Sequence, residues 1–439
     1  MKFKEWLRPG LRVKRWLFVG IAGICLIFTG ILFFVSFFNE SLLKSFLFLL
    51  LAVPGCALIF TAARHLARNL LSAINSNTFG TSIDMERLNS LLYDKRILIK
   101  GPKIVAIGGG TGLSTMLRGL KAYSSNITAV VTVADDGGGS GVLRQELGML
   151  PPGDIRNCIL ALADTEPIME QLLQYRFQDG NLKGQSFGNL FLAAMDGIST
   201  SFEEAVRRMS DVLAVTGRVL PVTLEDVTLC AELEDGTIIC GESKIGKHCE
   251  FNKGKIKRVF LEPSNVKPLE EVLEAISEAD VIILGPGSLY TSIIPNLLVK
   301  GICPAIKKSK ALKVYVCNIM TQPSETDGYS VYDHIEALEA HSCEGVIDYC
   351  IVNNKPIPSY LKAKYLSEGA EQVAIDREKI LDSGITLIEG DYVSTNNDLV
   401  RHDQFKLAKA VIELVADNVL AGDRKRLLDY YHLRDMLKK

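Results

Sequence analysis

The sequence predicts an α/β domain on a mainly parallel, Rossmann-like sheet with helices on both faces, a small β-hairpin insertion, and an N-terminal transmembrane α-hairpin. Three observations carry that expectation. From Lys103 onward, short β-branched apolar runs alternate with stretches of helical periodicity, the pattern of strands buried on both faces. Three of those runs end in glycine-rich turns that lead towards helices, as strand ends do in doubly wound sheets. Ahead of them, residues 16–38 and 45–63 contain no charged side chain at all.

Each uncharged run is close to the ~20 apolar residues with which a helix crosses about 30 Å of hydrocarbon. The link at 39–44 is so short that two such helices must be antiparallel. Lys2, Lys4, Arg8, Arg12, Lys14 and Arg15 precede the first run, Arg64 and Arg68 follow the second, and the link holds only Glu40 and Lys44. The positive-inside rule then places both termini and the main domain in the cytoplasm of a two-pass membrane protein. A cleaved signal peptide would carry a single, shorter apolar core. Neither run contains an acid or base, so the pair reads as an anchor rather than a transport path.

The domain plan is therefore an anchor at 1–64, a connector at 65–100, a nucleotide-binding domain at 101–420 and a helical tail at 421–439. With 48% hydrophobic residues and 49 basic against 51 acidic side chains, the chain is neither a disordered polar polymer nor a cationic nucleic-acid binder. Ten dispersed cysteines without a C-x-x-C pair argue against a zinc finger or a disulfide scaffold and suit a reducing compartment.

In the main domain, residues 103–107 and 127–133 read as strands and 113–121 as a helix. Helices follow at 154–163, 166–177, 187–195 and 202–215. Glu234-Asp235-Gly236-Thr237, set between apolar alternations, predicts a hairpin over 228–243. A helix at 269–278 precedes a strand at 281–284. Further strands are expected at 313–320, at 348–352, around Val373 and around Thr386, with helices from Val331 and over 403–417.

The three turns are the candidate ligand site. In Gly108-Gly109-Gly110-Thr111-Gly112, glycines let backbone N–H groups approach an anion at a helix N-terminus, although no Walker lysine follows. Asp135-Asp136 opens a second turn, Gly137-Gly138-Gly139-Ser140-Gly141, and paired carboxylates there suit a hydrated magnesium ion beside phosphate, or ribose and base donors. In the third, Gly285, Gly287, Ser288 and Thr291 could converge on phosphate oxygens, and Tyr290 offers a ring for stacking. Each turn alone also fits an ordinary strand–helix connection; three at strand ends point to one ligand. Asn189 and Asn318 read equally as ligand contacts or satisfied amides, and Asp154, after Pro151-Pro152-Gly153, as a helix cap. The loop 321–328 could close over a ligand. His248, His334, His341 and His402 have no metal-ligand spacing, and no catalytic residue can be named.

The segments 105–114, 132–138, 151–157, 284–292 and 318–328 together resemble the gluconeogenesis-factor branch of the CofD-like (phospholactate transferase) superfamily, over residues 103–420 or so. The transferase branch moves a phospholactyl group from a guanosine diphosphate donor to a deazaflavin, with magnesium. The branch resembled here has no established reaction. The resemblance implies binding of UDP-sugars such as UDP-N-acetylglucosamine and a role in carbon metabolism, peptidoglycan synthesis and cell shape. It also implies that residues 108–112 and 285–291 hold the nucleotide diphosphate, with Asp135 and Asp136 at the metal. Gly139 stands where this branch is expected to carry serine. Partners expected are the nucleotide-sugar, the membrane, cell-wall synthesis proteins and a second copy of the chain. The alternative reading is a magnesium-dependent transferase acting on a nucleotide diphosphate donor.

Overall fold

The structure, a computed structural model, describes residues 13–37, 50, 52–78, 98–246 and 254–420, together with Leu433 and Leu437. The chain divides into two compact units, Met1–Tyr93 and Asp94–Lys439. The expected link at 39–44, most of the 65–100 connector beyond Thr78, His248 and nearly all of the 421–439 tail lie outside the described residues.

In the first unit, helices Val13–Phe37 and Ala52–Thr78 pack against each other. A Cβ on Gly20 would sit 3.5 Å from Ala62 Cβ, one on Gly23 would sit 2.7 Å from Gly55 O, and Trp16 stacks on His65 at 3.9 Å. These partners run in opposite directions, so the pair is antiparallel, and the small residues let the backbones close up as in membrane helix pairs. Trp16–Ser36 alone is long and apolar enough to cross a membrane among the described residues, and most of its side chains are exposed. The second described helix, Ala52–Thr78, continues through Arg64 and Arg68 past the expected end at residue 63, while residues 45–49 of the expected span lie outside the described residues. Pro54 falls in its first described turn, where a missing N–H costs nothing, so it does not act as a mid-helix kink.

The second unit is organised by seven strands: β1 (Ile104–Gly108), β2 (Ile127–Val131), β3 (Arg218–Pro221), β7 (Val281–Leu284), β8 (Leu312–Val316), β9 (Tyr349–Asn353) and β10 (Thr386–Gly390). They form one sheet in the order β10-β9-β8-β7-β1-β2-β3, with every pairing parallel. β1 and β7 are fully buried, which is why their sequences are unbroken apolar runs instead of alternations. The chain steps outward from β1 through β2 to β3, then returns to lay β7 on the other side of β1 and proceeds outward again. Right-handed crossovers in opposite directions put the crossover helices of the two halves on opposite faces, and the last long helix, Gln404–Val415, returns to the face of Gly110–Leu120. Helix Gly110–Leu120 packs against Gly153–Leu162 and Gln404–Val415, and Glu270–Glu278 packs against Ile302–Lys308.

The expected hairpin is present as β4 (Thr228–Leu233) and β5 (Ile238–Cys240), and β6 (Ile256–Glu262) joins β4 to complete a three-stranded antiparallel sheet. Its register sets Cys230 opposite Cys240, and the two are joined as a disulfide, which the reading of ten unrelated thiols did not anticipate. No strand forms at Val373. Its N–H bonds to Ile319 O at 3.0 Å, and its neighbours Gln372 and Ala374 make only isolated bridges to Met320 and Ser330. A short pair, β11 (Val393–Ser394) with β12 (Arg401–His402), closes the domain beside its last long helix.

Candidate functional site

Because β7, β1 and β2 are neighbours, the turns that follow them are neighbours too, at the topological switch point where open α/β sheets place their ligands. The contact is close. A Cβ on Gly112 would lie 2.5 Å from Pro286 O and 3.1 Å from Gly287 N, and one on Gly287 would lie 3.3 Å from Gly109 O. Only glycine permits this approach of the first turn to the third. Gly110, at φ +65, turns the chain from β1 into helix Gly110–Leu120, and Gly109 at the N-cap brings no side chain to its opening amides. The first-turn N–H groups of Thr111 and Gly112 thus precede the first intrahelical bond and are available to an anion.

The third turn is braced from β8. Asn318 Nδ2 donates to Gly287 O at 2.9 Å, so Asn318 positions that turn. Beyond Ser288 the chain makes one wide helical turn, Leu289–Ile293. This turn buries Tyr290 to 2% exposure, its ring edge-on to Tyr329 and His341 and its hydroxyl 2.8 Å from that of Tyr329. Tyr290 therefore presents no ring face for stacking: it fixes the turn from beneath. Thr291 is also buried, and its hydroxyl donates to the Glu242 carboxylate.

The second turn departs most from expectation. The glycines do not form a loose loop, because Gly138 already begins helix Gly138–Leu147. Asp135 and Asp136, successive residues, diverge. Asp135 Oδ1 accepts from Gly137 N at 2.8 Å and its other oxygen faces Gly153, whereas Asp136 Oδ1 accepts from Ser243 N at 2.7 Å, beyond the end of β5. Asp136 thus ties the antiparallel sheet to the site, and Asp135 bears on Asp154, whose proton affinity it raises.

Asp154 accepts a hydrogen bond from Gly110 N–H, and one of its oxygens is 2.5 Å from where a Gly109 Cβ would stand. Burial, and then Asp135, push its proton affinity up to about 6, against the pull of that N–H and of Arg156. Desolvation likewise raises Asp135, with Asp136 adding to it. Glu242 is pushed to about 7 by burial and by Asp135, Asp136 and Asp154 in turn. Glu325 is pushed to about 8 by burial and by Glu242. Five carboxylates from four segments therefore crowd one end of the sheet, each disfavouring the charge of its neighbours. Sequence reasoning took Asp154 for a cap, saw Glu325 only as part of the 321–328 loop and passed over Glu242; the hydrogen bond from Ser243 to Asp136 spans 107 residues and leaves no local signal.

A cavity of about 320 Å³ opens on the other side of the first turn. Thr111, Gly112 and Thr115 line one wall, Pro286 and Gly287 a second, Asn318 to Met320 with Gln322 a third, and Leu399, Val400, Arg401 and His402 with Tyr365 the fourth. That volume suits a small ligand such as a nucleoside. Arg401 and His402 come from β12; Arg401 was not singled out in the sequence, and His402 only as a histidine without metal-ligand spacing. Asn189 does not line this cavity. It lies on helix Phe187–Gly197, capped by Ser186, which also receives Arg156 Nη1 at 2.8 Å. Gln185, just before that cap, abuts Gly139.

A family model described as 2-phospho-L-lactate transferase CofD matches residues 104–393. A putative gluconeogenesis factor of Clostridium acetobutylicum is 52% identical over 442 residues, spanning 100% of this chain and 98% of that protein. The gluconeogenesis factor of Bacillus subtilis is 51% identical over 317 residues, which is 99% of that protein but 72% of this chain. A crystal structure of a upf0052 family protein from Bacillus halodurans matches with a TM-score of 0.68 and 51% identity, covering 71% of this chain and 99% of that one.

Proposed function

The chain belongs to the CofD family, among its gluconeogenesis factors, and from that premise we propose that it is a UDP-sugar-binding regulatory protein of carbon metabolism and cell-wall synthesis, held at the membrane by its N-terminal helices with the main domain in the cytoplasm. One observation carries the reading: the turns after β7 and β1 meet backbone to backbone and share a cavity of about 320 Å³. In this reading the nucleoside occupies that cavity and Arg401 supplies a cation beside it. The diphosphate lies over the amides of Thr111, Gly112 and Ser288. The sugar extends towards Asp135 and Asn189.

Asp135 and Asp154 suit a hard divalent cation such as magnesium, because both are oxygen donors whose mutual repulsion a cation relieves. Magnesium there would offset diphosphate charge, and Asp136 would serve by holding residue 243 rather than as a ligand. Calorimetry on the detergent-solubilised chain with UDP-N-acetylglucosamine, with and without magnesium, tests the proposal, and no heat at millimolar ligand rejects it. Asp135→Asn is expected to remove the magnesium-dependent part of the affinity.

The crowding of Asp154, Glu242 and Glu325, all protonatable near neutral pH, favours a second reading. Such groups can take and return a proton during transfer of a phosphorylated group from a nucleotide diphosphate donor. Release of a nucleoside monophosphate on incubation with donor and a hydroxyl acceptor would support that transferase.

A further inference from the structure

Cys230 and Cys240 lie outside the turns that face the proposed ligand. Their strands pair in register, so the two residues stand opposite each other with Cα atoms 4.1 Å apart. β6 lies on the other side of β4 and brings Glu262 alongside, its Oε2 3.8 Å from Cys230 Sγ. Both sulfurs and a Glu262 carboxylate oxygen fall within 4.8 Å of one another, and no other group of three metal-ligating side chains does so among the described residues. Zinc binds thiolate at about 2.3 Å and carboxylate oxygen at about 2.0–2.2 Å. A trio this close can therefore reach one ion with small side-chain adjustments. Cys230 is buried, Cys240 half-buried and Glu262 exposed, which leaves an entry side and room for water as a fourth ligand.

With the sulfurs joined to each other, no thiolate is available to a cation. We propose that this trio is a redox-gated metal site: reduction of the Cys230–Cys240 disulfide frees two thiols that, with Glu262, bind one soft divalent cation of the zinc class. A small dithiol attacks one sulfur of the bridge, and two protein thiols form as the dithiol closes into its own disulfide. The cation then takes the place of the two thiol protons, which pass to solvent.

The test uses the full chain in detergent, reduced with a small dithiol and freed of it without air. Cadmium is the probe, because thiolate-to-cadmium charge transfer reports sulfur ligation and is silent for the carboxylates around Asp135. The reduced protein should show the band saturating at one cadmium per chain and zinc should displace it; the disulfide form should show none. Cys240→Ser should abolish the band, and Glu262→Gln, at an exposed position that cannot threaten the fold, should weaken binding about tenfold or more. The proposal is overturned by a reduced chain without the band, by a band that survives Cys240→Ser, or by unchanged affinity in Glu262→Gln.

Discussion

Substitution of Gly112 by alanine probes the junction on which the proposed ligand site depends. The new methyl would stand 2.5 Å from Pro286 O, 2.8 Å from Pro286 C and 3.1 Å from Gly287 N. All three are backbone atoms, so no rotamer change relieves the clash, and the third turn must move away from the first. Overpacking of this kind costs about 1–3 kcal/mol. The same displacement pulls Gly287 away from the Asn318 amide and widens the cavity, so affinity for UDP-N-acetylglucosamine should fall at least tenfold, or about 1.4 kcal/mol. Gly148→Ala is the matched control. It lies at φ +66 with no atom within 4 Å of the methyl it would gain, so it adds backbone strain of about 1–2 kcal/mol without touching either turn. Denaturant unfolding and calorimetry on both variants separate the outcomes. If Gly112→Ala binds within twofold of wild type while unfolding as early as the control, the two turns do not clasp one ligand.

Three further outcomes follow from the same geometry. Asp154→Asn should abolish the enhancement of nucleotide binding by magnesium while leaving metal-free binding intact, as calorimetry at fixed ionic strength can show. Glu325 keeps its proton up to about pH 8 when folded but gives it up near 4.5 when unfolded, so its stabilising contribution is full below that lower value and lost as pH rises through 8. Chemical denaturation between pH 5.5 and 8.5 should therefore show a loss of a few kcal/mol from Glu325, at about 1.4 kcal/mol per tenfold change in proton affinity, and Glu325→Gln should make the loss smaller, with Glu242 and Asp154 supplying the remainder. In the first unit, Gly20→Cys with Ala62→Cys, in a Cys25→Ser, Cys56→Ser background, should cross-link under mild oxidation. A Cβ at position 20 would lie 3.5 Å from that of Ala62, within disulfide range; a failure to cross-link would separate the two helices.

The sheet was legible because parallel strands buried on both faces write themselves as unbroken apolar runs, and β7 has the expected bounds, 281–284. Val373 misled for the same reason: it is apolar and buried, but residues 372–374 bridge the chain at 319–320 to the chain at 330–331 rather than joining a ladder. Within the site, the glycine turns could be read because close backbone approach excludes every other residue. Partnerships between distant residues could not. Asp135 and Asp136 look like a pair in sequence, yet each carboxylate is held by a different backbone N–H, Asp135 by that of Gly137 and Asp136 by that of the distant Ser243. Tyr290 looked like a stacking platform because chemistry suggests it, but Tyr329 and His341 claim its ring. The disulfide could not be counted out from the turn: a turn at 234–237 would set Ala231 opposite Cys240, and it is the bond from Leu233 N–H to Thr237 O, closing a loop of three residues, that sets Cys230 there instead.

The order of strands explains why so few residues suffice to assemble this site. A sheet that grew outward in one direction would cover each strand end with the helix of the next crossover. Here β1 has β2 on one side and β7 on the other, and the two crossovers leave it in opposite directions, so their helices part above β1. The gap so formed is bounded by backbone, which is why glycine rather than any reactive side chain marks its rim. What surrounds the gap comes from insertions: Glu242 and Ser243 from the end of the antiparallel sheet, Arg401 and His402 from β12. Ligand preference in this family should therefore vary through those inserted segments while the glycine rim is retained. Exchanging residues 393–402 for those of a relative with a different nucleotide preference should move base selectivity without loss of diphosphate affinity. Selectivity that stayed with the original chain would place base recognition in the turns after β1 and β7 instead.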